Sequence, residues 1–373
     1  MNSSTSSSRA PLAARLPDFP WDSLAGAKAT AQAHPGGICD LSVGTPVDPT
    51  PAVAREALVA AAERWAGYPT VWGTPALRAA ILGYLERRWK AAGLGERNVL
   101  PVVGTKELVA WLPTQLGLGP DDLVVIPGTA YPTYEVGAAI VGARIQRCDD
   151  PAQVDGTPAL VWINSPANPH GAILDPDELR AWVSFARESG AVLASDECYG
   201  EFGWQAEPCS VLDADICGGS FDGLLAVHSL SKRSNMAGYR GGFVAGDEQL
   251  CMELLELRKH GGMMLPGPVQ EAMAAALDDH AHVEEQRERY LARRALLKPA
   301  LESAGFTIDH SEGSLYLWAT RGEDCRRTVD WLAERGILAA PGDFYGSQSG
   351  QHVRIALTAT DERIAAAAER LRG

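Results

Sequence analysis

A doubly wound α/β fold with a mostly parallel sheet, followed by a smaller α+β domain, is predicted by three features of this sequence. Short apolar runs recur through its middle, amphipathic helical stretches separate several of them, and past Pro268 the pattern changes to long charged helices.

The runs are LPVVG (100–104), LVVIPG (123–128), ALVWIN (159–164), AVLASD (191–196), LLAVHS (224–229) and GGFVAG (241–246). Continuous apolar character, without alternation, marks strands covered on both faces, as in a parallel sheet with helices above and below. The segment DPDELRAWVSFARESG (175–190) is one such covering helix. Beyond the Pro-Gly-Pro at 266–268 come helices over 269–303, GSLYLWA (313–319), a helix from about Cys325, and HVRIALT (352–358). At the other end, residues 1–15 are Ser-rich with little to bury and are predicted to be a disordered tail.

Composition narrows the function. The chain has 373 residues, enough for two domains, and 33 basic against 47 acidic residues give a net charge of −14. That balance argues against nucleic-acid partners and against anionic membranes. No run approaches the roughly 20 apolar residues a bilayer span needs, and the N-terminus lacks the apolar core of a signal peptide. Seven scattered cysteines with no C-x-x-C pair fit a reducing cytoplasm rather than a disulfide framework or zinc site. His280 and His282 are the one close histidine pair, in DDHAHVEEQRER, and read as a solvated helix face; no metal site is expected.

Ligands of open parallel sheets bind at the carboxyl ends of the strands. There the sequence puts Gly104-Thr105-Lys106, then Tyr131, then Asn168 in SPANP, then Asp196 and Tyr199, then Ser229, Ser231 and Lys232 followed by Arg240. Only six lysines occur; those at 28, 90, 259 and 298 sit in charged helical patterns and read as surface residues. Lys232 lies between a buried strand and a Gly-rich loop, beside two hydroxyls and two arginines. Partial burial and nearby cations would lower its pKa and favour reaction with an aldehyde, the alternative being a structural salt bridge. Gly104-Thr105-Lys106 lacks the spacing of a nucleotide P-loop but can hold a single phosphate at a helix N-terminus.

The segments SLSKRSNMAGYRGGFVAGD (229–247), NSPANPHG (164–171) and SDECY (195–199) resemble those of fold-type I, pyridoxal-phosphate-dependent aminotransferases. The resemblance runs over nearly the whole chain from about Leu16. FPWDSL (19–24), DLSVGTPVDP (40–49), GYPTVWGTPALR (67–78), GTKELVAWLP (104–113), AYPTYEVGA (130–138), RKHGGMMLPGPVQ (258–270) and HVRIALTATDERI (352–364) are similar to the succinyldiaminopimelate transaminases within that family. It implies the pyridoxal-phosphate-dependent transferase fold, with residues 16–47 joining the small domain, 48–267 as the large cofactor-binding domain and 268–373 as the small C-terminal domain. It implies a cytoplasmic homodimer with shared active sites, acting on small amino and keto acids.

The resemblance also assigns roles. Lys232 would hold the cofactor and shuttle a proton between the substrate α-carbon and the cofactor. Asp196 would pair with the pyridinium nitrogen; Tyr199 and Asn168 would bind the ring oxygen; Tyr131 would stack on the ring. Gly104, Thr105, Lys106, Ser229, Ser231 and Arg240 would cup the phosphate, and Tyr68 would reach the phosphate of the neighbouring subunit, its plain alternative being loop packing. Arg354 matches the arginine that clamps the substrate α-carboxylate, a task suited to a planar guanidinium; without the resemblance it would be a charged residue on an edge strand. Gly44 would border the same carboxylate, or simply form a turn. Lys106, Arg233, Arg240 and Arg354 would make the site locally basic. His170 departs from the family's Asn-Pro-Thr-Gly turn and reads as a surface histidine. Trp72 and residues 259–264 are candidates for the distal end of the substrate, with packing as the stronger reading. The implied reaction uses glutamate to aminate N-succinyl-2-amino-6-oxopimelate by a ping-pong cycle; other aminotransferases, and carbon–sulfur β-lyases, share the same cofactor motifs.

Overall fold

The computed structural model describes residues 11–17 and 19–373. Residues 1–10 of the predicted tail lie outside the described residues, and Leu12–Arg15, expected to be disordered, form one 3-10 turn. After the short β1 (Cys39–Asp40), seven strands build a central sheet: β2 (Val99–Val103), β3 (Leu123–Ile126), β4 (Arg144–Arg147), β5 (Leu160–Asn164), β6 (Val192–Asp196), β7 (Leu224–Ser229) and β8 (Gly241–Gly246). Their order is β2-β8-β7-β6-β5-β3-β4. β8 is antiparallel to both neighbours and the remaining pairs are parallel.

All six apolar runs are strands of this sheet because each has a packed layer on both faces. Leu224 and Ala226 of β7 join one layer with Val161 and Leu193, while Leu225 and Val227 join the other with Trp162 and Ala194. The seventh strand, β4, carries no apolar run: RIQR is the half-exposed edge, so neither face demands continuous hydrophobicity. The covering helix Pro176–Ser189 starts with a capping box between Asp175 and Glu178 and ends on Gly190 at φ 74°. It buries Leu179, Trp182, Val183 and Ala186 at helical spacing.

The domain division differs from the expected one. The Pro-Gly-Pro at 266–268 begins a helix, Gly267–Asp278, that packs on helices Ala52–Ala61 and Pro75–Trp89. Val269, Ala272, Met273, Ala276 and Leu277 belong to the large core, so the change of core falls near Asp279 instead of at residue 268. The smaller unit holds β9 (Thr307–Asp309), β10 (Tyr316–Thr320), β11 (Ile337–Leu338), β12 (Ala340–Pro341) and β13 (His352–Ala356). Four of these form an antiparallel sheet in the order β12-β13-β10-β9, and β11 pairs with β1. Leu24, Cys39 and Leu41 from the N-terminal segment pack into this unit's core with Tyr290, Leu317 and Val353. HVRIALT is thus an interior strand between β12 and β10, not an edge, and Arg354 is buried within it. Among the described residues, no helix is long and apolar enough to cross a membrane.

Candidate active site

The carboxyl ends of β5, β6 and β7, the start of helix Thr105–Gln115 and the small sheet converge on a cavity of about 490 Å³. Gly44, Thr105, Lys106, Tyr131, Asn168, Asp196, Tyr199, Ser229, Ser231, Lys232, Arg240 and Arg354 all line it. Gly104 and Tyr68, also expected at the phosphate, do not. Gly104 lies just behind Arg240, at φ 77°, where a Cβ would run into the arginine's guanidinium. Tyr68 is 94% exposed on the outer surface.

Lys232 sits on the short helix Leu230–Arg233, whose N-cap Ser229 accepts from the Ser231 amide at 3.1 Å. Its Nζ donates to the Gly44 carbonyl. Burial, then the neighbouring Arg354 and Arg240 guanidiniums, pull its pKa down to about 8. Arg233, expected to contribute to the same basic field, points elsewhere: successive helical residues diverge by about 100°. It is buried, pairs with Glu201 at 3.3 Å and donates to the Ala276 carbonyl at 3.1 Å.

Asp196 ends β6. Its Oδ2 accepts from the Tyr134 hydroxyl at 2.7 Å and its Oδ1 from the Cys198 amide at 3.1 Å. Burial raises its pKa against the opposing pull of those hydrogen bonds. The Tyr199 and Tyr316 hydroxyls are 2.8 Å apart, and burial drives the Tyr199 pKa up. Arg354 donates from Nη1 to Asn168 Oδ1 at 2.9 Å and from Nη2 to the Ser42 carbonyl at 2.7 Å. Its Nε is buried without a partner. Arg240 adopts φ 59° and donates to the Ala237 carbonyl at 2.8 Å.

Other expectations are corrected. His170 is neither on the surface nor in the cavity. Its Nδ1 accepts from the Ala172 amide at 3.2 Å, its ring meets His310 at 5.0 Å, and burial followed by His310 lowers its pKa to about 4. His282 is not a solvated face residue: it bridges Asp279 Oδ2 and Ser234 Oγ, both at 2.9 Å. Among the described residues no cluster of three or more His, Cys, Asp or Glu could hold a metal ion. Trp72 lies under Arg78, its ring 4.1 Å from the guanidinium carbon, Lys259 pairs with Glu256, and neither lines the cavity.

Sequence reasoning missed several lining residues: Phe19, Trp21, Val43, Thr45, Cys198 and Tyr316. Phe19 and Trp21 line it from the N-terminal segment, with the Lys106 ammonium 5.7 Å from the Phe19 ring. Nothing about an apolar strand such as SLYLWA distinguishes Tyr316 from its packed neighbours.

The cavity combines a lysine of lowered basicity, a buried carboxylate, a helix N-terminus and a buried arginine, the parts needed to hold a phosphorylated aldehyde and an α-carboxylate. The aminotransferase class I and II family profile matches residues 37–371. The "Probable aminotransferase Rv1178" of Mycobacterium tuberculosis is 60% identical, covering 97% of this chain and 87% of that protein. The 4-dedimethylamino-4-oxo-anhydrotetracycline transaminase OxyQ of Streptomyces rimosus is 57% identical, covering 95% and 99%. The LL-diaminopimelate aminotransferase of Aquifex aeolicus is 32% identical over 90% of this chain and 91% of its own length. A solved aminotransferase from Neisseria meningitidis superposes with a TM-score of 0.84 at 31% identity, covering 96% and 98%. Proteins of this family use pyridoxal 5′-phosphate. From residue 37 to residue 371, the chain belongs to the class I and II aminotransferases.

Proposed function

We propose that this aminotransferase exchanges the amino group between glutamate/2-oxoglutarate and N-succinyl-LL-2,6-diaminopimelate/N-succinyl-2-amino-6-oxopimelate, in a ping-pong cycle on a homodimer. The observation that carries the amino-transfer chemistry is the Lys232 amine, brought to a pKa of about 8 in a cavity that Arg354 shares. The choice of substrate rests on the flanking motifs from FPWDSL to HVRIALTATDERI, and on the likeness to a diaminopimelate aminotransferase.

The residues fit pyridoxal phosphate. Gly104 leaves room for the Arg240 guanidinium beside the amides that begin helix Thr105–Gln115, which suits a phosphate cup completed by Ser229 and Ser231. Asp196, buried at a strand end, suits a cationic ring nitrogen and would hold its proton. When bound, the cofactor supplies an electron sink that acidifies the substrate's Cα–H. Tyr199 would donate to the ring oxygen. Asn168 has its Oδ1 committed to Arg354, which leaves its Nδ2 as the donor to the same oxygen. Tyr131 would cover one ring face. Lys232 would take the proton from the substrate α-carbon and return it at the cofactor's C4′.

Two of the five Arg354 N–H groups go to protein acceptors, so three remain for a substrate α-carboxylate, the buried Nε among them. Gly44 would line the same subsite. A net charge of −14 repels anionic substrates at long range, and Lys106, Arg240 and Arg354 would reverse that locally. Tyr68, exposed here, would reach the phosphate of a second copy.

A second reading follows from the 57% identity to OxyQ, named for a tetracycline ketone: the acceptor would be polycyclic. The test is the visible absorbance of the loaded protein mixed with single amino donors and no oxo acid. Conversion by N-succinyl-LL-diaminopimelate and by glutamate at low concentration supports the proposal. Conversion by glutamate while the succinylated substrate fails rejects the proposed acceptor and favours the second reading.

A further inference from the structure

We propose that Tyr316 is a positioning residue that ties the tyrosine acting on the cofactor to the arginine holding the substrate. This inference rests on the roles proposed above for Tyr199 and Arg354. It adds a residue to neither the cofactor motifs nor the carboxylate clamp, but joins them.

The sheet register accounts for the placement. On the antiparallel pair β10–β13, Trp318 stands opposite Arg354 and Tyr316 opposite Ala356. Side chains two residues apart on a strand share a face, so Tyr316 and Arg354 are diagonal neighbours on the cavity side, within reach of a long and an aromatic side chain. The guanidinium carbon of Arg354 lies 4.1 Å from the centre of the Tyr316 ring and 5.2 Å from that of Tyr345. Those two rings, with the Asn168 and Ser42 oxygens, leave the guanidinium plane little freedom to turn.

The other end of Tyr316 meets two different parts of the site. Its hydroxyl is 2.8 Å from that of Tyr199. It also lies against Gly44, where an added Cβ would strike the hydroxyl and the ring carbon that bears it. The Gly44 carbonyl in turn accepts from Lys232. A hydroxyl carries one proton and two acceptor sites. When Tyr316 donates to Tyr199, the Tyr199 proton is left for an acceptor inside the cavity, and the chain of two hydroxyls strengthens that donation. A phenylalanine would keep the ring under Arg354 and lose only this relay.

The test is a pair of substitutions read by spectroscopy as well as kinetics. Tyr316→Phe weakens the Tyr199 donor, makes the cofactor's ring oxygen more basic, and moves the pH midpoint of the bound cofactor's visible absorbance upward. The shift expected from one neutral hydrogen bond is roughly 0.5–1 unit. Its kcat falls while KM for glutamate stays within about twofold, because the ring that orients Arg354 remains. Tyr316→Leu removes the ring as well and raises KM about tenfold, the loss of about 1.4 kcal/mol of cation–π and packing contact. The Tyr199→Phe/Tyr316→Phe double variant shifts no further than Tyr199→Phe alone. An unmoved midpoint in Tyr316→Phe, beside a clear shift in Tyr199→Phe, overturns the relay and leaves the proposed function standing. An unmoved midpoint in Tyr199→Phe overturns the Tyr199 assignment and the relay with it.

Discussion

Arg354 reaches from the small sheet to Asn168 in the large unit, its Nη1 donating to Oδ1 at 2.9 Å, while Ser42 holds its Nη2 at 2.7 Å. Arg354, the group proposed to bind the substrate carboxylate, is thereby held by both units and by the N-terminal segment at once. A lysine in its place would keep the charge and lose the planar fork. Arg354→Lys is expected to raise KM for every α-carboxylate substrate by roughly 10–100-fold, the worth of charged hydrogen bonds. Steady-state kinetics with glutamate and a second amino donor check it; a rise confined to one of them would make Arg354 a contact for the distal group instead.

In its proposed role Lys232 would have to be a free amine to attack the aldehyde of the cofactor. Its pKa is lowered to about 8, by burial and then by Arg354 and Arg240, so the neutral fraction grows tenfold per pH unit up to that value and levels off beyond it. Reconstitution of the apoprotein with pyridoxal phosphate should follow that curve. Arg354→Gln removes one of the two cations, raises the lysine pKa and moves the curve to higher pH. Stopped-flow rates from pH 6 to 9.5 decide the point, and a curve that stays in place would show that Arg354 does not tune the amine.

Tyr68 is 94% exposed, and a second hollow, of about 400 Å³, lies beside Arg240 between Gly238, Tyr239, Pro266 and Val269. A tyrosine arriving from another copy would have room there. In mixed dimers of a Tyr68→Phe subunit with a Lys232→Ala subunit, the one intact lysine faces the one intact tyrosine across the interface. Shared sites predict ordinary cofactor affinity in that mixture and weakened affinity in the Tyr68→Phe homodimer. Weakened affinity in both would mean that Tyr68 serves its own subunit.

The buried strands were readable in advance because two-sided burial writes itself as an unbroken apolar run, and β7 matches LLAVHS residue for residue. β4 was not, since an edge strand needs no such run. The polar rim was readable because ligands gather at strand ends, and the family motifs then distributed the roles. Those same motifs could not say that Arg233 turns away from Lys232, a matter of helical rotation, nor that His170 is covered by His310 from a loop some 140 positions later. Arg354 looked like an edge-strand charge because only tertiary pairing with both β10 and β12 reveals an interior strand. Tyr316 was hidden for a related reason: within YLWAT, its hydroxyl acquires meaning only from Tyr199, 117 positions away.

Behind the sheet, on the face away from the cavity, Glu197 Oε2 and His228 Nε2 lie 3.3 Å apart, both buried and without a hydrogen-bond partner. Burial pushes the glutamic acid up to about 7 and the histidine down to about 3, so between those values both groups are neutral. Glu201 pulls the histidine the opposite way, and Arg233 and Arg88 reinforce the lowering. A carboxyl whose folded pKa is raised holds a proton that the unfolded chain has already lost above its ordinary value of 4.5. Stability therefore falls as pH rises from 4.5 and levels off above about 7. The lowered histidine acts on the other side, its contribution falling as pH drops below 6.5. Glu197→Gln keeps a neutral side chain of the same shape and removes the group that titrates at the alkaline end. The variant should match the parent near pH 5 and melt roughly 2–4 °C above it at pH 8. Melting profiles from pH 5 to 8.5 provide the check: curves that run parallel throughout would mean that Glu197 stays ionised in the folded protein, and that the contact with His228 is an ion pair after all.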